Sequence, residues 1–91
     1  MKIDFSQPIT DLEGKETGLT LGAASIQAMI TPVKGDDEMP AIEKVRSFDL
    51  SLKIHGASEV DLSVEDVAFI KVRIGKLFAP LVVGRAFAML G

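Results

Sequence analysis

The sequence predicts an α+β fold, mostly helical, in which an N-terminal β-hairpin packs on about three helices, the last bent at Pro80. Three observations carry this expectation. Asp61 to Leu90 is the longest periodic stretch, with Val67, Ile70, Ile74, Leu77 and Leu81 recurring at the spacing of one helix face. Pro40 to Gly56 is free of internal turn signals and is bracketed by a helix-starting proline and a helix-capping glycine. Lys2–Phe5 alternates polar and apolar, and the stretch that follows is broken at Pro8 and Gly14, as short strands are.

Taken in order, Lys2–Phe5 alternates and reads as a half-buried strand. Ile9–Leu12 and Lys15–Leu19 read as a hairpin about Glu13-Gly14-Lys15, with Gly14 supplying the positive φ of a tight turn. Two or three such strands are marginal alone and must lie on the helices. Thr20 is placed to cap a short helix that Pro32 ends, because the residue before a proline is pushed out of the α region. Its Gly22, Ala23, Ala24 and Ala28 allow close packing on the last helix.

Val33–Met39 is the clearest loop. Its Asp36-Asp37-Glu38 triplet lacks the alternating ligand spacing of a calcium loop and reads as a solvated segment favouring the next helix start. In the following helix Ala41, Ile42, Val45, Phe48 and Leu52 form one face, the main apolar stripe, with Leu50 and Ile54 roughly opposite, so that two faces of the element are apolar. Phe48–His55 also alternates with the strand period, but its context favours helix. Ala57–Leu62 crosses over to the last helix. There Ser63 stands at the N-cap and Asp66 three residues on, the spacing of a capping box. Pro80 must bend or restart that helix. Gly75 and Gly84 weaken it, which points to close backbone packing or to the bend.

Ninety-one residues make one domain, residues 1–91, with a modest core. Hydrophobic residues make up 47% and charged residues 25%, which places the chain among globular proteins rather than disordered ones. With no Cys there is no disulfide framework and no thiolate chemistry, as suits a reducing cytoplasm. A net charge of −3 gives no case for nucleic-acid binding, and Lys71, Arg73 and Lys76 have no aromatic platform for bases. The N-terminus lacks the apolar segment of a signal peptide. The apolar run Leu77–Leu90 is too short to span a bilayer and contains Arg85.

His55 is the only histidine, so a two-histidine metal site is excluded, and its place at a helix end suits a dipole partner. No serine has nucleophile-elbow context, and Glu65-Asp66 is explained by capping. The expectation is a protein without cofactor, metal or catalytic set.

MKIDFSQPITDLEGK at the start and VDLSVEDVAFIKVRIGKLFAPLVVG near the end together resemble a group of short proteins encoded in tailed-phage and prophage genomes. The resemblance covers roughly half the chain. It implies a phage or prophage origin, the cytoplasm of a bacterial host as setting, and helix over Phe48–His55.

The leading expectation is a non-enzymatic interaction protein in virion assembly, such as a tail-assembly chaperone or morphogenesis factor. The alternative is an inhibitor of a host or anti-phage defence enzyme. A partner surface is expected at Phe69 and Val72, rimmed by Glu65, Arg73 and Lys76, because an aromatic ring among charges reads as an anchor with a polar rim. The competing reading has the hairpin covering Phe69. Homo-oligomerisation is expected through Leu81, Val82, Phe87 and Leu90, since a segment apolar all round must be buried on most sides.

Overall fold

A computed structural model describes residues 1–91. The chain runs β1 (Lys2–Asp4), β2 (Pro8–Thr10), β3 (Glu16–Thr20), α1 (Leu21–Ile30), a 3-10 turn (Asp36–Glu38), α2 (Ala41–Ile54), β4 (Glu59–Asp61), α3 (Val64–Leu77) and α4 (Pro80–Leu90). This is an α+β, mostly helical fold with a hairpin near the N-terminus.

The hairpin is β2 with β3, in antiparallel register from Pro8↔Thr20 to Thr10↔Glu16. Asp11 builds its turn: Oδ1 accepts from the amides of Glu13 and Lys15 at 2.9 and 3.0 Å, and Gly14 takes φ 85°. The register slips across Ile9, where Gly18 adopts φ 86° and the Thr17 hydroxyl donates to the Ile9 carbonyl at 2.8 Å.

β1 lies outside the hairpin. It pairs antiparallel with β4, with Ile3 opposite Val60. The segment Ala57–Leu62 is therefore a strand as well as a crossover. Three residues with one apolar side chain carry too little period to announce themselves.

The helices begin and end where their caps lie. Thr20 Oγ1 accepts from the Ala23 amide at 3.1 Å, and α1 stops before Pro32. Gly22 of α1 donates its amide to the Phe5 carbonyl at 2.8 Å. A Cβ there would stand 3.0 Å from that oxygen and 3.3 Å from the Phe5 Cβ, so any larger residue requires the Phe5 backbone to give way. α2 begins after Pro40 and ends at His55, with Gly56 at φ 73° just beyond, confirming helix over Phe48–Ile54. Ser63 Oγ accepts from the Asp66 amide at 3.1 Å and caps α3.

At Pro80 the chain does not bend one helix but starts another. Phe78 and Ala79 are extended, and Pro80 opens α4 at its first position, where a missing N–H costs nothing. Gly75 and Gly84 do not mark close packing. A Cβ on Gly75 would come no nearer than 4.0 Å to Phe87, and one on Gly84 would meet open space.

α1 packs on both α2 and α3. Between them and the strands lies one core that includes Phe5, Ile9, Leu21, Ile54, Ile70 and Leu90.

Candidate protein-binding surface

Helix α2 faces the core with the opposite side from the one its pattern suggests. Ser47, Leu50, Ser51 and Ile54 point inward. Ile42, Val45, Phe48 and Leu52 are 79%, 56%, 58% and 60% exposed. The physical reason is in the two helices that meet. Inward-facing serines are small, α1 is rich in small residues, and helix separation follows the size of the side chains at the contact. The Ser51 hydroxyl donates to the Ser47 carbonyl at 2.8 Å, so it is satisfied within its own helix and costs little to bury. Leu50 and Ile54 then supply the apolar contact, and the wider apolar stripe is left outside.

Two clefts flank the stripe. One, of about 500 Å³, lies between the end of α1, the 3-10 turn and α2, with Met29, Ile30, Met39 and Phe48 as its apolar lining and Asp37 and Lys44 among its polar residues. The other, of about 540 Å³, is lined by Ile42, Val45 and Leu50 with Arg46, Asp49 and Lys53. An apolar strip between charged margins is the anatomy of a protein interface.

The floor of the first cleft is held by Arg73. This side chain is not a surface cation: the residue is 2% exposed. Its Nε donates to the Ala28 carbonyl at 2.9 Å and its Nη2 to the Thr31 carbonyl at 3.1 Å, satisfying carbonyls at the end of α1. Its Nη1 and Nη2 meet Asp36 Oδ1 and Oδ2 at 2.6 and 3.0 Å, a bidentate pair. Asp36 Oδ2 also accepts from the Val33 amide at 2.8 Å. The Arg73 hydrogen bond first, and the Val33 amide next, hold the Asp36 carboxyl down to about 2. The acidic triplet is therefore not a uniformly solvated loop, since its first member locks the turn to α3. Beside it the buried Ser47 hydroxyl has no hydrogen-bond partner.

Of the expected partner residues, Val72 and Lys76 are exposed, as is Glu65. Arg73 is withdrawn into the fold, for the reason just given. Phe69 is half-buried against the core. Arg46 of α2 covers part of its ring, with its guanidinium carbon 4.7 Å from the ring centroid. The surface centred on Phe69 is thus broken up: its anchor and one rim cation are committed within the chain.

The expected oligomer interface on α4 is also largely used internally. Leu90 is buried, Val82 packs against the core, and Leu81 is half-buried. Phe87 keeps part of its ring exposed, with Lys71 Nζ 5.6 Å from the centroid. The small domain covers this helix by tucking it against α3 and β2. Arg85 fastens it there, donating from Nε to the Thr10 carbonyl at 3.2 Å and from Nη2 to the Asp11 carbonyl at 2.7 Å.

His55 is exposed at the end of α2. No group of three or more His, Cys, Asp or Glu side chains converges on a point, and no helix is long and apolar enough to cross a membrane. No known protein family, curated protein or solved structure matches the chain.

Proposed function

We propose that this protein acts by binding other proteins, as a small assembly factor of a tailed phage or prophage working in the bacterial cytoplasm. A tail-assembly chaperone or morphogenesis factor is the kind of role meant. One observation supports the binding reading above the rest: α2 buries two serines and turns Ile42, Val45, Phe48 and Leu52 outward. Each of those side chains would gain about 1.5–3 kcal/mol on full burial, a driving force that one copy of the fold leaves unused. The phage setting rests on the likeness of the two terminal stretches to proteins of that origin.

A second reading, an inhibitor of a host or anti-phage defence enzyme, draws on the exposed acids Asp37 and Glu38 and the acidic pI of about 5.0. The two differ in partner, not in surface. The test is affinity capture from phage-producing cells with the natural protein and with Phe48→Asp. Phage structural proteins held by the first and lost by the second support assembly. A host enzyme behaving that way supports inhibition. Equal capture by both proteins removes α2 from either account.

A further inference from the structure

We propose that a second copy of this chain covers the outward face of α2, the two helices running antiparallel about a twofold axis. The inference rests on that face being a docking surface, and it names the first occupant.

Area is the first argument. Ile42, Val45, Phe48, Leu52 and the neighbouring Ile30, all more than half exposed, offer on the order of 500 Å² of apolar surface. A standard-size interface covers about 800 Å² per partner and is about 57% apolar, which requires about 450 Å² of apolar surface. Ile30 and Phe48 line one cleft, so the patch is continuous from α1 to α2.

Spacing is the second. Ala41, Val45, Phe48 and Leu52 follow one another at four, three and four residues, the a/d rhythm of helices that pack along their length. Centred between Arg46 and Ser47, an antiparallel copy sets Val45 against Phe48 of the second copy and Ala41 against its Leu52. Small thus meets large in both layers. A twofold axis repeats each contact, as an isologous interface requires.

Charge is the third. The turn just ahead of α2 is acidic, with Asp37 and Glu38 exposed, and the last turn of α2 carries the exposed Lys53. The antiparallel register brings the acidic turn of each copy beside the Lys53 end of the other, and opposes the two helix dipoles favourably.

Sedimentation or light scattering from about 1 to 500 μM reads the state directly. The natural protein is expected to pass from one protomer to two. Phe48→Asp and Leu52→Asp, both at exposed positions, are expected to stay at one protomer with unchanged circular dichroism, while Phe87→Asp on α4 still dimerises. Because the chain has no cysteine, orientation can be read as well. Ala41→Cys mixed with Leu52→Cys should cross-link on oxidation, and Ala41→Cys alone should not, because its two copies lie about 16 Å apart along the axis in this register.

A natural protein that stays at one protomer throughout overturns the proposal, as does a dimer that survives both aspartates. Cross-linking of Ala41→Cys to itself overturns the antiparallel register. If the protein is monomeric yet Phe48→Asp still abolishes capture from cells, the second copy is excluded and the docking face stands. If neither mass nor capture responds to Phe48→Asp, both fall.

Discussion

Arg46 joins two residues of α3 at once: its guanidinium lies 4.7 Å from the Phe69 ring centroid, and its Nη2 donates to Asp66 Oδ1 at 2.9 Å. One side chain on α2 thereby covers an aromatic ring and neutralises a carboxylate one turn earlier. The pairing favours the charged form of Asp66 and lowers its pKa, with the Ser63 cap adding to it. Phe69→Ala should cost about 2–3 kcal/mol, short of the full price of a wholly buried ring. A double-mutant cycle with Arg46→Ala should show a coupling of about 0.5–1 kcal/mol. Zero coupling in urea melts would mean that the stack contributes nothing.

Acid should loosen the turn before α2. The Asp36 carboxyl is held down to about 2 in the fold, against 3.8 as its ordinary value. Between those values the unfolded chain binds the proton more readily, so stability falls as pH drops. The contribution of this carboxylate is complete well above pH 3.8 and gone below about pH 2. Asp4 and Asp66 are lowered too and act in the same direction. Asp36→Asn should melt lower than the natural protein at pH 7 and show a shallower decline from pH 5 to pH 2. Parallel melting curves across that range would show that Asp36 is not a principal acid-sensitive group.

Two helical glycines should respond with opposite signs. Gly84→Ala places a methyl in open space and should stabilise by about 0.5–1 kcal/mol through better helix propensity. Gly22→Ala places one 3.0 Å from the Phe5 carbonyl oxygen and should destabilise by about 1–3 kcal/mol. Thermal melting separates the two, and a neutral Gly22→Ala would show that the backbone at Phe5 can yield.

Pro80→Ala should leave two helices rather than merge them. Phe78 and Ala79 are extended, and α4 is held by Arg85 on the hairpin carbonyls. The expected loss is about 0.4–1 kcal/mol, through a freer unfolded chain, with helical dichroism unchanged. Increased helicity would show that the proline itself enforces the break.

The sequence carries much of this fold because its helix ends are chemically marked. Thr20, Ser63, Gly56 and the prolines fix α1, α2 and α3 to within a residue or two. Which face of α2 goes inward was not legible. Both faces carry large apolar residues, and hydropathy favours the wrong one. The deciding factor is the small-residue fit of Ser47 and Ser51 against α1, a property of two helices together. Arg73 was misread for a similar reason. Its partners are the Ala28 and Thr31 carbonyls and Asp36, and backbone acceptors left over at a helix end leave no mark on a distant arginine.

The β1–β4 pair has a meaning in time as well as in space. Met1 and Asp61, joined at 3.0 Å through the terminal amine, are 60 positions apart. Ribosomes extend chains by about 5–20 residues per second, so β4 follows β1 into the cell by about 3–12 s. For that interval Ile3 is made but has no strand to lie against, while α1 and α2 already exist to pair locally. The β1 side of the pair is therefore covered late, and translation speed through the segment ahead of β4 sets how long it stays open to other contacts.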